Sequence, residues 1–264
     1  MPAPMPPRPE RLILIHGAWA GAWVWEALVP ELAALGWPAE ALDLPGDGAH
    51  PIPAGRVTAQ DYRDTLARAI ADGPGPVALV GHSGGGMLVT AGHALCPDRV
   101  SHAAWIAGML LRDGQSFDDI QQAVAGPGQR FGITSHVVVA PDGASSTVPV
   151  DKAAALFFND AEPETARAAA ARLTPQPAAG HRMRVTRAAG FDALPKYYLL
   201  ATQDRSVLPQ AQRLMCDGVP KLTVEEIAAG HVPQLTRAAE LAARLDRWLR
   251  GGGPDQPQGP GTSP

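Results

Sequence analysis

Six short apolar runs, separated by amphipathic stretches, constrain this chain more than any other feature. Residues 11–16 (RLILIH), 37–44, 77–81 (VALVG), 101–107 (SHAAWIA), 196–201 (KYYLLA) and 221–227 (KLTVEEI) read as strands. Between them, residues 26–35, 58–71, 87–95, 207–216 and 233–249 carry helical periodicity. Strands that are apolar along their whole length must be covered on both faces. Their alternation with helices therefore predicts an α/β fold with a mostly parallel central sheet and helices on both faces. Residues 112–190 break the rhythm. They hold two helix candidates, 152–159 and 163–173, and one strand-like piece, 135–139, among loops. An insertion between two sheet strands is expected to form a helical cap over the active-site end of the sheet.

Proline and glycine set the expected boundaries. Five of the 27 prolines lie in residues 1–10 and four more in the tail GGGPDQPQGPGTSP. Such segments hold neither a helix nor a ladder, so residues 1–10 and 251–264 are expected to be disordered. The folded body is then residues 11–250, with the cap at 112–190. A hydrophobic fraction of 45% over 264 residues is enough for a core and excludes global disorder. A net charge of −4 gives no concentrated basic face for nucleic acid. No apolar run reaches the roughly 18–20 residues of a membrane span, and the first ten residues lack a signal-peptide stretch. Cys96 and Cys216 do not make a disulfide framework, so a reducing, cytoplasmic setting is expected. Association into a homodimer is the one protein partnership left open.

The sharpest chemical signal is Leu79-Val80-Gly81-His82-Ser83-Gly84-Gly85-Gly86. It is a Gly-x-Ser-x-Gly motif directly after a strand and directly before a helix. A serine on so tight a turn projects its hydroxyl above the sheet edge, and the residues two before and two after it must be small. A second strand ends in His16-Gly17-Ala18-Trp19. That loop can aim the Ala18 amide at a reacting carbonyl oxygen, with the Gly84 amide as the second oxyanion donor. Serine needs a base. His231, in Ala-Gly-His-Val-Pro before the last helix, is the best candidate, and His16 reads as a structural hydrogen-bonder. Asp204, after the KYYLLA strand, is the candidate orienting carboxylate. Asp113 is the rival acid, and capping of the following helix is the competing role for Asp204. The order Ser83, Asp204, His231 is the order this fold uses. No metal-binding spacing is present, nor a dinucleotide-binding glycine motif, so neither a metal nor a cofactor is expected.

The chain resembles the α/β-hydrolase superfamily, and within it the plant methylesterase and hydroxynitrile-lyase group with its bacterial esterase relatives. The resemblance rests on ILIHGAWAGAWVWEALVPEL (13–32), DLPGDG (43–48), LVGHSGGG (79–86), LFFND (156–160), YYLLATQDRSV (197–207) and AAGHVPQL (228–235). It implies a Ser83–His231–Asp204 triad, oxyanion donors at Ala18 and Gly84, and a helical lid with Leu156, Phe157 and Phe158 in or near it. Trp19, Trp105, Phe157 and Phe158 are the expected substrate-binding aromatics, suited to a small apolar or aromatic ester, methyl esters included. The family usually has histidine at the position of Asp47 and a bulky residue at that of Gly84. The lyase branch carries threonine and lysine where this chain has Gly17 and Val232, which favours hydrolysis. The same constellation also serves thioester hydrolysis, cyclisation or C–C cleavage, and a receptor that keeps the fold without turnover is a further alternative.

Overall fold

In the computed structural model, which describes residues 7–252, the chain starts with strand β1 (Arg11–Ile15), helix α1 (Leu28–Ala34) and strand β2 (Ala39–Leu42). Helix α2 (Ala59–Ala71), β3 (Val77–His82), α3 (Gly85–Leu95) and β4 (Val100–Ile106) follow. The lid then runs through α4 (Phe117–Ala125), β5 (Val138–Val139), β6 (Ser145–Thr147), α5 (Val150–Phe157), α6 (Pro163–Ala170), β7 (Gln176–Pro177) and α7 (Ala178–His181). Strand β8 (Lys196–Ala201), α8 (Pro209–Cys216), β9 (Leu222–Ile227), α9 (Pro233–Thr236) and α10 (Ala238–Leu249) complete the body. The main sheet has the order β2-β1-β3-β4-β8-β9 and every pairing in it is parallel. Strands β5, β6 and β7 form a small antiparallel sheet within the lid.

Alternation along the strands builds two cores. Leu12, Leu14, Ala78 and Val80 face Trp25, Leu28 and Leu32 on one side of the sheet, together with Leu241 and Leu245 of α10. Ile13, Ile15, Val77 and Leu79 face the other side, against Leu66 and Ile70 of α2 and Val89 of α3. Strands β3, β4 and β8 are buried at every position, as central parallel strands must be. Helix α2 starts where the sequence predicts. Thr58 Oγ1 accepts from Asp61 N at 3.3 Å, and Asp61 Oδ2 accepts from Thr58 N at 2.8 Å. This reciprocal cap fixes the first turn of the helix that carries Tyr62.

All six predicted strands form. The single helix expected over 233–249 is two, because Arg237, at φ −138° and ψ 37°, leaves helical geometry between them. Helix α4 and the lid strands β6 and β7 were not predicted. Residues 7–10, expected to be disordered, are packed where they are described. Pro9 is buried, Glu10 N donates to Pro76 O at 2.8 Å, and the Arg8 guanidinium lies 4.3 Å over the Trp37 ring. At the other end, Gly251 and Gly252 donate back to Trp248 O and Arg247 O and close the last turn of α10. The rest of both expected disordered ends, 1–6 and 253–264, lies outside the described residues. Among the described residues, no helix is long and apolar enough to cross a membrane.

Three buried histidines make the fold acid-sensitive. Burial pushes His16 and His102 down to about 4 and His82 well below its ordinary value. In the unfolded chain each takes up a proton near pH 6.5, while the native state keeps it neutral. Below pH 6.5 the unfolded state therefore binds more protons, and native stability falls as pH drops from 6.5 towards 4. The thermal midpoint should decline steadily over that interval by calorimetry. A flat profile from pH 7 to pH 4.5 would contradict the neutral assignment.

Candidate active site

Ser83 sits between β3 and α3 with φ 49°, in the left-handed region that a side chain rarely occupies. Its backbone is held on both sides. Ser83 N donates to Ile106 O at 3.3 Å, and its carbonyl accepts from Gly86 N at 3.0 Å and Met109 N at 2.9 Å. The glycines around it are required by space. A Cβ on Gly81 would lie 2.5 Å from Val89 Cγ2, and one on Gly86 2.5 Å from the Trp105 ring. A Cβ on Gly85 would run into the carbonyls of Ile15 and His16. A Cβ on Gly17 would lie 2.7 Å from Ser83 Cβ, so the loop after β1 passes directly against the serine.

The candidate acid and base meet from two loops after adjacent strands. Asp204 follows β8, and His231 follows β9. His231 Nδ1–H donates to Asp204 Oδ2 at 2.7 Å, with both side chains buried. The Asp204 carboxylate also accepts from Ser206 N, Val207 N and Gln212 Nε2, at 2.7, 3.0 and 3.0 Å. Oδ1 thus holds the loop after β8 while Oδ2 orients the imidazole; the helix that follows, with Leu208 at its N-cap, takes no side-chain cap from Asp204. With Nδ1 committed, His231 Nε2 is the atom with a free lone pair; it is buried and has no hydrogen-bond partner. Ser83 and His231 line one small recess together with Ala18, His82 and Val232. Asp113, the rival acid, instead accepts from Arg187 N at 2.8 Å on the far side of the lid.

The loop after β1 is ordered by His16. His16 Nδ1–H donates to Gly17 O at 2.8 Å, and its Nε2 accepts from Leu44 N at 3.1 Å. Ala18 lies on the same loop, and its amide N is 3.6 Å from the point where a Cβ on Gly84 would sit. Among the described residues neither the Ala18 nor the Gly84 N–H has an acceptor. Trp19 follows at φ 60° and is fixed by its amide donating to Gln176 Oε1 at 2.9 Å and its indole donating to Ser146 O at 3.1 Å.

A cavity of about 460 Å³ opens above Ser83. Met87, Leu88, Met109, Phe117, Ile133 and Phe157 line it, with Trp19, Tyr62 and Gln176. Of the four aromatics expected to bind substrate, Trp19 and Phe157 reach it. Phe157 also stacks on the His231 imidazole, with ring centres 5.1 Å apart and planes inclined by 22°. Phe158 lies instead in the recess beside His231 and packs against Trp23. Trp105 does not line the cavity. It is 0% exposed within β4, and its indole donates to Gly86 O at 2.9 Å, so it is a core residue bracing the helix behind Ser83. A strand buried on both faces offers no parity signal to separate these roles.

Several positioning groups were not evident from sequence. His82 Nε2–H donates to the His231 carbonyl at 2.8 Å and holds the base loop onto the serine turn. Asn159 Nδ2 donates to Gln203 O at 3.1 Å, beside Asp204, and Asp160 Oδ2 accepts from the Thr236 hydroxyl at 2.8 Å. A Cβ on Gly230 would lie 2.5–2.6 Å from the Asp160 and Asn159 oxygens, so a glycine must precede His231. Among the described residues no group of three His, Cys, Asp or Glu side chains could hold a metal.

This architecture of parallel sheet, serine turn and inserted lid defines an α/β hydrolase. A family model for the alpha/beta hydrolase family matches residues 12–244, and the chain belongs to that family. Among relatives, a rice (Oryza sativa subsp. japonica) protein named Esterase PIR7B is 27% identical over 249 residues, covering 88% of this chain and 92% of its own. The putative methylesterase 12 of Arabidopsis thaliana is 24% identical over 242 residues, covering 88% and 69%. A pyrethroid hydrolase from Sphingobium faniae JZ-2 shares the fold at a TM-score of 0.80, with 22% identity over 91% of this chain and 97% of its own. Polyneuridine aldehyde esterase superposes at 0.76, with 23% identity over 90% and 98%.

Asp47 departs from the family pattern in sequence, and its environment is unusual. It is 1% exposed, and neither carboxyl oxygen has a partner. Burial, reinforced by nearby Asp43, pushes it up to about 9. An unfolded aspartate loses its proton near pH 4, whereas the native one keeps it to about 9. The contribution of Asp47 to native stability therefore falls as pH rises across that window, opposing that of the three histidines at its acidic end, because the native state holds the extra proton. Asp47→Asn removes the ionisation while keeping the shape. The variant should gain on wild type in thermal midpoint from pH 5 to pH 8.5. An advantage that shrinks over that range would refute the buried neutral acid.

Proposed function

We propose that the protein is a cofactor-free serine hydrolase that cleaves carboxylic esters through an acyl-enzyme on Ser83. The observation that carries this reading is the His231–Asp204 pair, whose unpartnered Nε2 shares a recess with a serine strained to φ 49°. His231 Nε2 takes the proton as the Ser83 oxygen attacks the ester carbonyl. Asp204 holds the imidazole in the required tautomer and stabilises its cation. The amides of Ala18 and Gly84 receive the developing oxyanion, each lowering the barrier by about 3–4 kcal/mol. His231 then protonates the departing alcohol, and water, activated by the same base, releases the acid.

The relatives support ester cleavage over other uses of the triad: their names are those of esterases and methylesterases. The apolar cavity supports small, apolar or aromatic esters, methyl esters included. Gly84 leaves more room behind the serine than a bulky residue would. Val232, buried beside His231, provides no cation for a departing cyanide, which favours hydrolysis over lyase chemistry.

Ser83→Ala should lower turnover of 4-nitrophenyl acetate by about 10⁴-fold or more. Asp204→Asn should keep the hydrogen-bonded frame but impose the wrong tautomer on His231, with a loss of about 10⁴-fold in kcat. Turnover retained by purified Ser83→Ala would overturn the assignment.

A further inference from the structure

The cavity above Ser83 has a mixed lining that is more apolar than polar, and at the corner formed by Tyr62 and Gln176 the hydrogen bonds have a fixed direction. Trp19 N–H can only donate, so the Gln176 atom it meets at 2.9 Å is the carbonyl oxygen. The Gln176 amide NH₂ must then face Tyr62, and Nε2 donates to the Tyr62 oxygen at 3.2 Å. The phenol oxygen is thereby the acceptor of this pair, and its own proton is left over. No acceptor for that proton exists among the described residues, and Tyr62 is 2% exposed. A buried hydroxyl donor without a partner is costly, so such a group marks a place that a bound molecule can complete.

The corner is built rather than incidental. Tyr62 comes from α2, in the first turn after the Thr58 cap, while Gln176 comes from lid strand β7. A Cβ on Gly180 would lie 2.6 Å from Gln176 Nε2 and 3.2 Å from the Tyr62 oxygen, so a glycine lets the lid close on the pair. The chain of bonds starts at the Trp19 amide, one residue beyond the Ala18 amide. Burial, with nearby Asp47, holds the phenol far above its ordinary range, so Tyr62 stays a donor across the working pH. Of the two arginines that line the cavity, Arg130 and Arg182, Arg130 is paired with Asp118 at 3.0 Å.

We infer that Tyr62 is a specificity-determining residue that donates its hydroxyl proton to a second, neutral oxygen of the substrate. The preferred substrates are esters that carry a ketone, ether or hydroxyl oxygen besides the reacting ester group. This rests on the hydrolase reading of Ser83 and adds to it what the cavity selects. An apolar ester fits the cavity but leaves the Tyr62 proton unmatched; an oxygenated one satisfies it. The gain appears in kcat/KM, because a buried donor left unpaired penalises the analogue that lacks the acceptor.

The test is a set of two matched pairs. 4-Nitrophenyl pentanoate and 4-nitrophenyl 4-oxopentanoate place the second oxygen on the acyl side. Pentyl acetate and 2-methoxyethyl acetate place it on the alcohol side. Wild type should prefer the oxygenated member of at least one pair by about tenfold in kcat/KM, after correction for the uncatalysed rates. Tyr62→Phe should abolish that preference, bringing the kcat/KM ratio between the members of the pair to about one. Equal turnover of both members of both pairs by wild type would overturn the inference without needing the variant to fold. So would a Tyr62→Phe protein that loses activity equally on both members. Turnover of none of the four esters would instead sink the hydrolase reading, and this inference with it.

Discussion

A serine at φ 49° between a strand and a helix is the constraint on which the rest of this structure depends. A left-handed L-residue costs on the order of 1–2 kcal/mol, and it persists only where the surroundings over-determine it. Here they do. The carbonyl of Ser83 takes two amide protons, its own amide is bonded across to β4, and Gly17 closes against its Cβ. Four glycines follow from that one geometry, because the turn brings β1, β3, α3 and the segment after β4 within contact of each other. The position of Ser83 is thus a property of the sheet, not of a flexible loop.

The base is held differently. His231 lies on a loop, and every constraint on it comes from elsewhere in the chain: Asp204 on its ring nitrogen, His82 on its carbonyl, Phe157 on its ring face. The segment from Phe157 to Asp160 belongs to the lid, yet it touches the segments on either side of Asp204 and His231, through Asn159 at Gln203 and Asp160 at Thr236. Lid and acid–base pair therefore form one packed unit. A lid that rearranged around residues 157–160 would move His231 with it.

How much of this was legible follows from the range of each interaction. The six strands and the serine turn are local patterns, and they stand where periodicity and glycine spacing put them. Asp204 and His231 were readable because each occupies a fixed place just after a strand. The reach of His82 to a carbonyl 149 residues away, and of Asn159 to Gln203, depends on pairing that no local pattern encodes. Trp105 was misplaced for a related reason. Both faces of β4 are buried, so neither side of its alternation marks the cavity. In the lid, strands of two or three residues leave too short a period to detect.

Neutral polar groups do the orienting around this site, and the Gly17–Ala18 peptide shows why. A trans peptide points its C=O and N–H in opposite directions. His16 grips the Gly17 carbonyl at 2.8 Å, so the N–H of the same peptide, that of Ala18, is turned away from His16 and towards the serine side of the loop. Only a neutral imidazole can do this while its other nitrogen accepts from Leu44 N. An imidazolium would donate from both nitrogens and expel that amide. Burial, which pushes His16 down to about 4, is therefore what keeps the donor peptide fixed at neutral pH. The same logic governs His82, which must stay neutral beside His231 for the base to gain a proton without a like charge in contact. The site gains its directionality from two effects together: burial keeps His16 and His82 uncharged, and the backbone groups each meets fix its tautomer, and so one direction in which to donate.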